Sequence, residues 1–217
     1  MENITFNLAS LHVHGDAFFQ FLGLRKRFFV DQLGWDIPHD DKVEMDQYDN
    51  PQAHYSLVVR DGEVVGGART MATSAKWGEH TYMLRDAVCG KLKDIPAEIM
   101  RREVASKGVW ECTRLVMSDE LRTHAERATC LSLIVSGLVE VAGQNGAERL
   151  ISLSPLSLER ALRQLGFDAS RMGEPYRNED GRKYAVLTMP AAHGLKPTPR
   201  TTHVPGPKPL HAPAVAA

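Results

Sequence analysis

The length, composition and charge of the chain narrow its class before any motif is considered. With 217 residues it is long enough for one well-packed domain and at most a small appendage. Its 26 lysines and arginines nearly balance its 27 aspartates and glutamates, so no overall charge favours binding to nucleic acid or to a membrane surface. No apolar run approaches the length of a membrane span, the first residues do not resemble a signal peptide, and the cysteines lack a CxxC spacing. We therefore expect a cytoplasmic protein with reduced thiols.

The first half of the chain predicts a strand, a long helix and a hairpin, in that order. A short strand is expected at Ile4 to Leu8, followed by an amphipathic helix from Asp16 to Leu33. After an acidic loop, two strand-like segments, His54 to Arg60 and Val64 to Met71, flank Asp61-Gly62, a dipeptide that is typical of hairpin turns. This half therefore predicts an antiparallel strand pair that follows a helix.

The second half alternates strands with helices and so indicates a mixed α/β domain. The expected elements are a short helix at 82–92, a partly helical connection at 95–107, a strand at 109–117, a long helix at 125–144, a strand at 149–154, a helix at 156–165 and two last strands, from 167 onward and at 184–189. Large apolar residues almost vanish from Pro190 to Ala217. We therefore expect one domain at residues 1–189 and a disordered tail, rich in proline and alanine, at 190–217.

One charged residue interrupts the apolar face of the first helix. Phe18, Leu22, Arg25, Phe29 and Leu33 recur at helical spacing and therefore share a face. Burial of an unpaired guanidinium group is costly. Arg25 is therefore expected to be paired, to extend its charged end to the surface at the helix edge, or to face a cavity that holds an anion.

Other charged residues also fall on elements whose pattern otherwise predicts a core. Arg69 lies inside the second hairpin strand, after Gly66 and Gly67, which leave room for a close approach to the backbone. The third strand carries Glu111 and Arg114, three positions apart, and a regular pleat would point them to opposite faces. Either the strand is bulged and both serve one site, or one residue faces inward and the other outward. Several such residues together indicate a polar site inside an apolar framework.

A loop rich in carboxylates precedes the hairpin. Its acidic residues are Asp36, Asp40, Asp41, Glu44, Asp46 and Asp49. Closely spaced acids can bind divalent cations, but the glycine and the bidentate glutamate of a calcium loop are absent here, so no metal is expected. For Asp46 and Asp49 the alternative is simple solvation in a loop. The sequence also lacks a GxSxG elbow, a Walker phosphate loop and a dinucleotide fingerprint.

These polar positions and their spacing resemble the signature of the acyl-homoserine-lactone synthases, which make the autoinducers of bacterial quorum sensing. The residues that carry the resemblance are Arg25-x-x-x-Phe29, Trp35, Asp46-Gln47-Tyr48-Asp49, Arg69 and Glu111-x-x-Arg114. The match includes the intervals as well as the identities over roughly residues 22–115, and the order of elements fits to about residue 189.

The resemblance implies the fold of the Gcn5-related N-acyltransferases: an α/β fold with a mixed, twisted sheet flanked by helices and a V-shaped cleft at the central strands. Ordinary members hold the pyrophosphate of coenzyme A on a glycine-rich loop that opens the helix after the fourth strand. Here residues 115–136 contain no glycine, and Ser118-Asp119-Glu120 is acidic. We therefore expect acyl carrier protein as the acyl donor in preference to acyl-CoA. A docking surface for it, or simply a set of solvated charges, is expected at Lys91, Lys93, Arg101, Arg102 and Lys107.

The chemistry of this family implies a role for each residue. Its acceptor is S-adenosylmethionine, whose amine attacks an acyl thioester and whose carboxylate then displaces methylthioadenosine to close a lactone. S-adenosylmethionine is thus a substrate, and neither a cofactor nor a metal is implied. Glu111 is the candidate base, and Arg114, Asp46, Asp49 and Arg69 complete the catalytic set. The substrate-binding set is Arg25, Phe29 and Trp35, as a partly mobile lid, with Thr113 and Ser152.

Some assignments have alternatives. Ser152 falls where relatives carry a hydroxyl residue linked to 3-oxo acyl chains, and Ser154 is an equal candidate for that position. A generic N-acetyltransferase that uses acetyl-CoA is a second possible function, disfavoured by the missing glycine-rich loop. A non-catalytic acyl-binding or sensory module is a third, disfavoured because every polar position of the signature is present.

Overall fold

Strands and helices alternate along the chain much as the sequence predicts. The computed structural model describes residues 1–92, 95–100, 103–178 and 181–192. The strands are β1 (Glu2–Asn7), β2 (His54–Arg60), β3 (Glu63–Ala72), β4 (Val109–Met117), β5 (Arg149–Pro155), β6 (Ser170–Arg171), β7 (Tyr176–Arg177) and β8 (Lys183–Pro190). The α-helices are α1 (Ala17–Arg25), α2 (Met83–Val88), α3 (His124–Gln144) and α4 (Leu156–Gln164), and short 3-10 helices span Leu11–His14 and Ala97–Ile99.

One open sheet contains the eight strands of the described part of the chain. Their order is β1-β2-β3-β4-β5-β8-β6, and β7 also pairs with β8. All neighbouring pairs are antiparallel except β4 and β5. The pairing of β4 with β5 joins only residues 109–111 to 149–151, and the remainder of the two strands is no longer paired. The central strands therefore diverge into a V-shaped opening, and the predicted fold class is confirmed.

Helices cover both faces of this sheet. On β2, Leu57 belongs to the apolar cluster that contains α1, and the next residue, Val58, belongs to the cluster that contains α3. This change of side follows from the two-residue period of a strand. Helix α4 joins the α3 side through Leu162.

The paired glycines of β3 allow these helices to pack closely against the sheet. A β-carbon at Gly67 would lie 2.4 Å from Leu57 Cδ2 and 3.0 Å from the ring of Phe21. A β-carbon at Gly66 would lie 2.7 Å from Cys130 Sγ. Core side chains thus occupy the space that the sequence suggested for a close approach to the backbone.

Several regions differ from their prediction. The helix expected at 16–33 is α-helical to Arg25 and continues as a π-helix at Lys26–Gln32, a form often found near functional sites. Helix α2 is shorter than expected because the chain turns at Gly90, whose φ is 73°. The single strand expected after residue 167 is split into β6 and β7, with Gly173 and Pro175 between them. Residues 193–217, most of the expected tail, lie outside the described residues.

Candidate active site

The buried arginine of the first helix is fully paired. Arg25 lies in the last turn of α1 and is 0% exposed. Its Nε donates to Glu44 at 2.6 Å, and its Nη1 and Nη2 donate to the two oxygens of Asp49 at 2.8 and 2.9 Å. Burial by itself would lower the pKa of Arg25, but the charge of Asp49 and the hydrogen bonds to Asp49 and Glu44 together outweigh it, and the pKa is raised. Of the three possibilities for Arg25, the structure therefore shows pairing.

Arg69 occupies the centre of the same cluster and is also 0% exposed. Its Nη1 donates to Asp46 at 2.5 Å and lies 2.8 Å from Asp49 Oδ1, and its Nη2 donates to Asp46 at 3.1 Å. Its Nε donates to Thr113 Oγ1 at 3.1 Å, and its guanidinium carbon lies 5.6 Å from the centre of the Tyr48 ring. Arg69 thus joins β3, β4 and the acidic loop.

Arg114 closes the cluster on the side of β4. Its Nη2 lies 2.8 Å from Asp46 Oδ2 and 3.3 Å from Glu44 Oε1. Each of the two strand arginines therefore pairs with a carboxylate of the acidic loop, and together they form the polar site that was expected inside the apolar framework.

Strand β4 is bulged at Arg114. The backbone of Arg114 has a φ of 56°, in the left-handed region, and the register shifts so that Arg114 and Leu115 together lie opposite Ala68. A non-glycine residue in this conformation costs about 1–2 kcal/mol. The bulge lets Glu111 and Arg114, three positions apart, both lie near Asp46. Of the two possibilities for this strand, the structure therefore shows the bulge.

Glu44 is a member of the cluster that the sequence did not single out. It is 0% exposed, and its carboxylate joins Arg25 to Arg114. Glu44 and Asp46 are two positions apart and point the same way, whereas Met45 between them is 44% exposed. This alternation is the period of an extended chain and was the available signal.

Two aspartates of the cluster, Asp46 and Asp49, are held in their charged form. Burial opposes ionisation of Asp46 and Asp49, but the neighbouring arginines outweigh it, so the pKa of each carboxyl is lowered. The cluster brings three arginines together with three acidic side chains. Of these six side chains Arg114 is the most exposed, at 10%, and Asp46 follows at 3%. Arg114 is therefore the member that is best placed to meet a substrate.

An aromatic stack lies beside Arg114. Its guanidinium carbon is 5.4 Å from the centre of the Phe29 ring, and Phe29 stacks on Trp35 with ring centres 4.9 Å apart. Phe29 is 5% exposed and Trp35 is partly exposed. Within the described residues, Trp35 Nε1 is buried without a hydrogen-bond partner. A buried donor without a partner at the edge of a cluster is available to a bound molecule.

Glu111 lies where β4 and β5 begin to separate and is 2% exposed. Its two oxygens accept the backbone N–H groups of Met83 and Leu84, each at 2.8 Å. Burial raises the pKa of Glu111 to about 7, against the opposing effects of these hydrogen bonds and of the charge of Arg69. A carboxyl group with a pKa near neutrality can both take up and release a proton at physiological pH.

Known proteins resemble this chain in sequence and in fold. The family model described as autoinducer synthase matches residues 10–194. The chain belongs to the autoinducer synthase family. An acyl-homoserine-lactone synthase of Ralstonia nicotianae is 33% identical over 195 residues, which cover 84% of this chain and 88% of that protein. One of Acinetobacter nosocomialis is 31% identical over 176 residues, 77% of this chain and 89% of that protein.

Solved structures agree with this assignment. TofI, in a ternary complex with an inhibitor and MTA, is 28% identical and has a TM-score of 0.68, covering 88% of this chain and 92% of that chain. BjaI, described as a CoA-dependent acyl-homoserine lactone synthase, shares the fold of this chain with a TM-score of 0.69 and 20% identity. The match covers 87% of this chain and 82% of the BjaI chain. The predicted family, and with it the prediction of an acyltransferase, is confirmed.

One expectation for this member of the autoinducer synthase family needs correction. Arg25 does not lie in a lid over the cleft, because its charge is paired within the buried cluster. Phe29 and Trp35 do lie at the edge of the cluster, next to Arg114. What each residue does in a reaction stays a prediction.

Ser152 and Ser154 lie on β5 beyond its last pair with β4, in which Glu111 is opposite Ile151. Their hydroxyl oxygens are 3.0 Å apart, and Ser154 is 6% exposed while Ser152 is partly exposed. The two candidates for the acyl-chain position therefore form one hydrogen-bonded pair, apart from the charge cluster.

Within residues 1–92, 95–100, 103–178 and 181–192, no group of three or more histidine, cysteine, aspartate or glutamate side chains is arranged to hold a metal ion. In the same ranges, no helix is long and apolar enough to cross a bilayer. Cys89, Cys112 and Cys130 are free thiols.

Proposed function

We propose that this chain is an acyl-homoserine-lactone synthase, which joins S-adenosylmethionine to an acyl group and releases methylthioadenosine. Relatives that are 31% and 33% identical carry this name, and the 28% identical TofI was crystallised with MTA. Glu111 carries the proposal, because it is a buried carboxyl group with a pKa of about 7, located at the opening between β4 and β5.

In the first step, the amine nitrogen of S-adenosylmethionine attacks the carbonyl carbon of an acyl thioester. The attacking amine must lose a proton, and Glu111 accepts it, directly or through a water molecule. The carbon–sulfur bond of the thioester then breaks, and the leaving thiolate takes up a proton from Glu111. A pKa near neutrality suits both halves of this cycle, since the same group acts as base and then as acid.

In the second step, the carboxylate of the acylated intermediate attacks the γ-carbon. The bond from that carbon to the sulfonium breaks, its electron pair passes to sulfur, and neutral methylthioadenosine leaves as the lactone closes. Arg114 and the free N–H of Trp35 are suited to orient this carboxylate. Because Arg114 already pairs with Glu44 and Asp46, it orients the nucleophile without fully neutralising it.

Acyl carrier protein is the donor in this proposal. At the start of α3, Thr123 Oγ1 accepts the N–H of Glu126, and the Glu126 carboxylate accepts the N–H of Thr123. Asp119 and Glu120 precede this capping box, so a pyrophosphate would meet negative charge there and would have to displace the cap. The structural neighbours BjaI and MesI are described as CoA-dependent, but at 20% and 18% identity they share only the fold with this chain.

Two basic surfaces are candidates for docking an acidic carrier protein. The sequence-predicted surface includes Lys91 and Lys107, both exposed, whereas Lys93, Arg101 and Arg102 lie outside the described residues. A second surface surrounds a depression of about 510 Å³ on α4, and its arginines are Arg160, Arg163 and Arg171. Such surfaces act mainly on the rate of encounter.

The test is to incubate the purified protein with S-adenosylmethionine and either acylated carrier protein or acyl-CoA, and to measure methylthioadenosine. We expect release with acylated carrier protein, and a fall of about two orders of magnitude or more for Glu111→Gln. The exposed residue Glu140 provides a matched control, Glu140→Gln, which should keep wild-type turnover. No methylthioadenosine with any donor would refute the proposal. An acylated amine without methylthioadenosine would indicate a generic N-acetyltransferase, and thioester binding without reaction would indicate a sensory module.

The donor is tested separately by reversing charge on each surface. Arg160→Glu with Arg163→Glu is compared with Lys91→Glu with Lys107→Glu. The docking surface is the one whose reversal raises KM for acylated carrier protein but not for S-adenosylmethionine, with an effect that shrinks as salt is added. If acyl-CoA is the better donor and neither reversal matters, the choice of donor is wrong while the synthase proposal stands.

A further inference from the structure

The position of Glu111 depends on a helix that is too short to be stable on its own. Helix α2 has six residues, and the N–H groups of its first two, Met83 and Leu84, hold the carboxylate of Glu111. Isolated helices of this length do not persist in water. Other contacts must therefore fix the start of α2.

Asp86 makes those contacts. It lies in α2, is 1% exposed, and folds back over the start of the helix. Its carboxylate accepts the Thr81 hydroxyl at 2.8 Å and the Thr81 N–H at 3.2 Å. It also accepts the hydroxyl group of Tyr48 at 3.1 Å.

Tyr48 links Asp86 to the charge cluster. Its N–H donates to Asp46 at 2.9 Å, and its ring centre lies 5.6 Å from the guanidinium carbon of Arg69. A continuous path of hydrogen bonds and ring contact thus runs from the start of α2, through Asp86 and Tyr48, to the acidic loop.

We propose that Asp86 is a positioning residue, which joins α2 to the acidic loop through Thr81 and Tyr48 and so holds Glu111 in place beside the charge cluster. This inference rests on the proposed function, in which Glu111 is the base. Asp86 itself touches no reacting atom and acts through the two backbone N–H groups that Glu111 accepts.

The charge state of Asp86 fits this role. Burial opposes its ionisation, but the hydrogen bonds from Thr81 and Tyr48 outweigh that effect, and the pKa of Asp86 is lowered. His80 Nδ1 lies 3.4 Å and Lys91 Nζ 3.5 Å from its oxygens, beside a pocket of about 280 Å³. Asp86 is therefore a carboxylate throughout the pH range in which the enzyme would work.

Loss of the contacts made by Asp86 should change the pKa of Glu111 in a direction that can be predicted. Weaker hydrogen bonds from α2 would raise the pKa of Glu111, so the acidic limb of the pH–rate profile would move to higher pH. A purely electrostatic effect has the opposite sign, because Asp86→Asn removes a negative charge, which would lower that pKa. The other groups that face Glu111 are Arg69, Asp46, Tyr48, Tyr82 and Cys112, and of these Tyr48 loses its charged acceptor in Asp86→Asn.

Two readouts test the proposal in Asp86→Asn and in the milder Tyr48→Phe, with the exposed Asp168→Asn as matched control. The first is amide hydrogen exchange over residues 81–84 without substrate, which should be faster by about tenfold in Asp86→Asn and by less in Tyr48→Phe. The second is the pH–rate profile, in which turnover should fall about tenfold and the acidic limb should move upward, while KM for S-adenosylmethionine stays within about threefold. The control should match wild type in both.

The proposal is overturned if amide hydrogen exchange over residues 81–84 is unchanged in both variants. It is also overturned if the acidic limb of the pH–rate profile stays in place or moves to lower pH. A lower melting temperature with an unmoved limb would mean that Asp86 only stabilises the fold. Hydrogen exchange needs no turnover, so it decides the anchor even if wild type releases no methylthioadenosine. If wild type is active, Glu111→Gln is inactive and exchange is unchanged, then this inference alone fails.

Discussion

Replacement of Asp49 by asparagine tests how much the buried charge cluster contributes to stability. Asp49 accepts both Nη atoms of Arg25, lies 2.8 Å from Arg69 Nη1, and accepts the Tyr55 hydroxyl at 3.0 Å and the Asp46 N–H at 2.9 Å. Asparagine keeps the shape of the side chain but removes its charge. Among the carboxylates that the structure describes, Arg25 then keeps only Glu44 as an anionic partner, while Arg69 keeps only Asp46.

The expected loss is large because two guanidinium groups stay buried. Removal of one partner from a buried ion pair costs about 3–5 kcal/mol, and we expect the free energy of unfolding to fall by about that amount. Tyr55→Phe is a matched control, because it removes one hydrogen bond to Asp49 and leaves every charge in place. A bond of that kind contributes about 1.5–3 kcal/mol, so the control should lose less than Asp49→Asn.

Urea unfolding followed by circular dichroism, repeated across pH, measures both effects. The pKa of Asp49 is lowered in the folded state, so its contribution is fully present above the ordinary carboxyl pKa of about 4 and is lost as pH falls through the folded value. The difference between wild type and Asp49→Asn should therefore be constant from about pH 6 to pH 8 and shrink in acid. A loss below about 1 kcal/mol at neutral pH would refute a supporting role for the cluster.

Three further outcomes are expected. Turnover of wild type should fall about tenfold per pH unit below pH 7, because Glu111 must be ionised to act as base. A turnover rate that is flat from about pH 5.5 to pH 8 would exclude that role. Arg114→Gly should be more stable towards urea than Arg114→Ala by about 1 kcal/mol, since both lack the guanidinium but only glycine tolerates a positive φ without strain. Gly67→Ala should cost about 1–3 kcal/mol through its clash with Leu57, whereas Gly108→Ala, whose β-carbon would have no contact under 3.5 Å, should be nearly neutral in the same unfolding measurement.

The local parts of the site were predictable because short-range geometry determines them. Strand β4 was predicted with its observed bounds, and the three-residue separation of Glu111 and Arg114 required a bulge if both were to serve one site. The apolar stripe around Arg25 likewise fixed which way that side chain points. Helical spacing indicates the face on which a side chain lies but not how deeply it is buried. It therefore left open whether Arg25 was paired below the surface or placed in a lid.

The long-range contacts were not predictable in the same way. Glu44 bridges arginines from α1 and β4, which are 19 residues before it and 70 residues after it in the chain. Tyr48 and Asp86 are 38 residues apart in the chain. Neither residue type indicates by itself that the side chain is buried. Only the closure of the acidic loop over the sheet brings these pairs together, and no spacing along the sequence encodes it.

Solvent exposure distinguishes the residues that support the site from the residues that can contact a substrate. The side chains of Arg25, Glu44, Asp49 and Arg69 are 0% exposed and paired with one another, so any contact with substrate would require breaking buried ion pairs. At the edge lie Arg114, which keeps some solvent contact, and Trp35, which has an unsatisfied N–H, while Glu111 has a pKa near neutrality at the diverging strands. A buried network of this kind is costly to form, and its benefit is a fixed geometry for the groups attached to it. Substitutions inside the network should therefore reduce stability and turnover together, whereas Glu111→Gln should reduce turnover much more than stability.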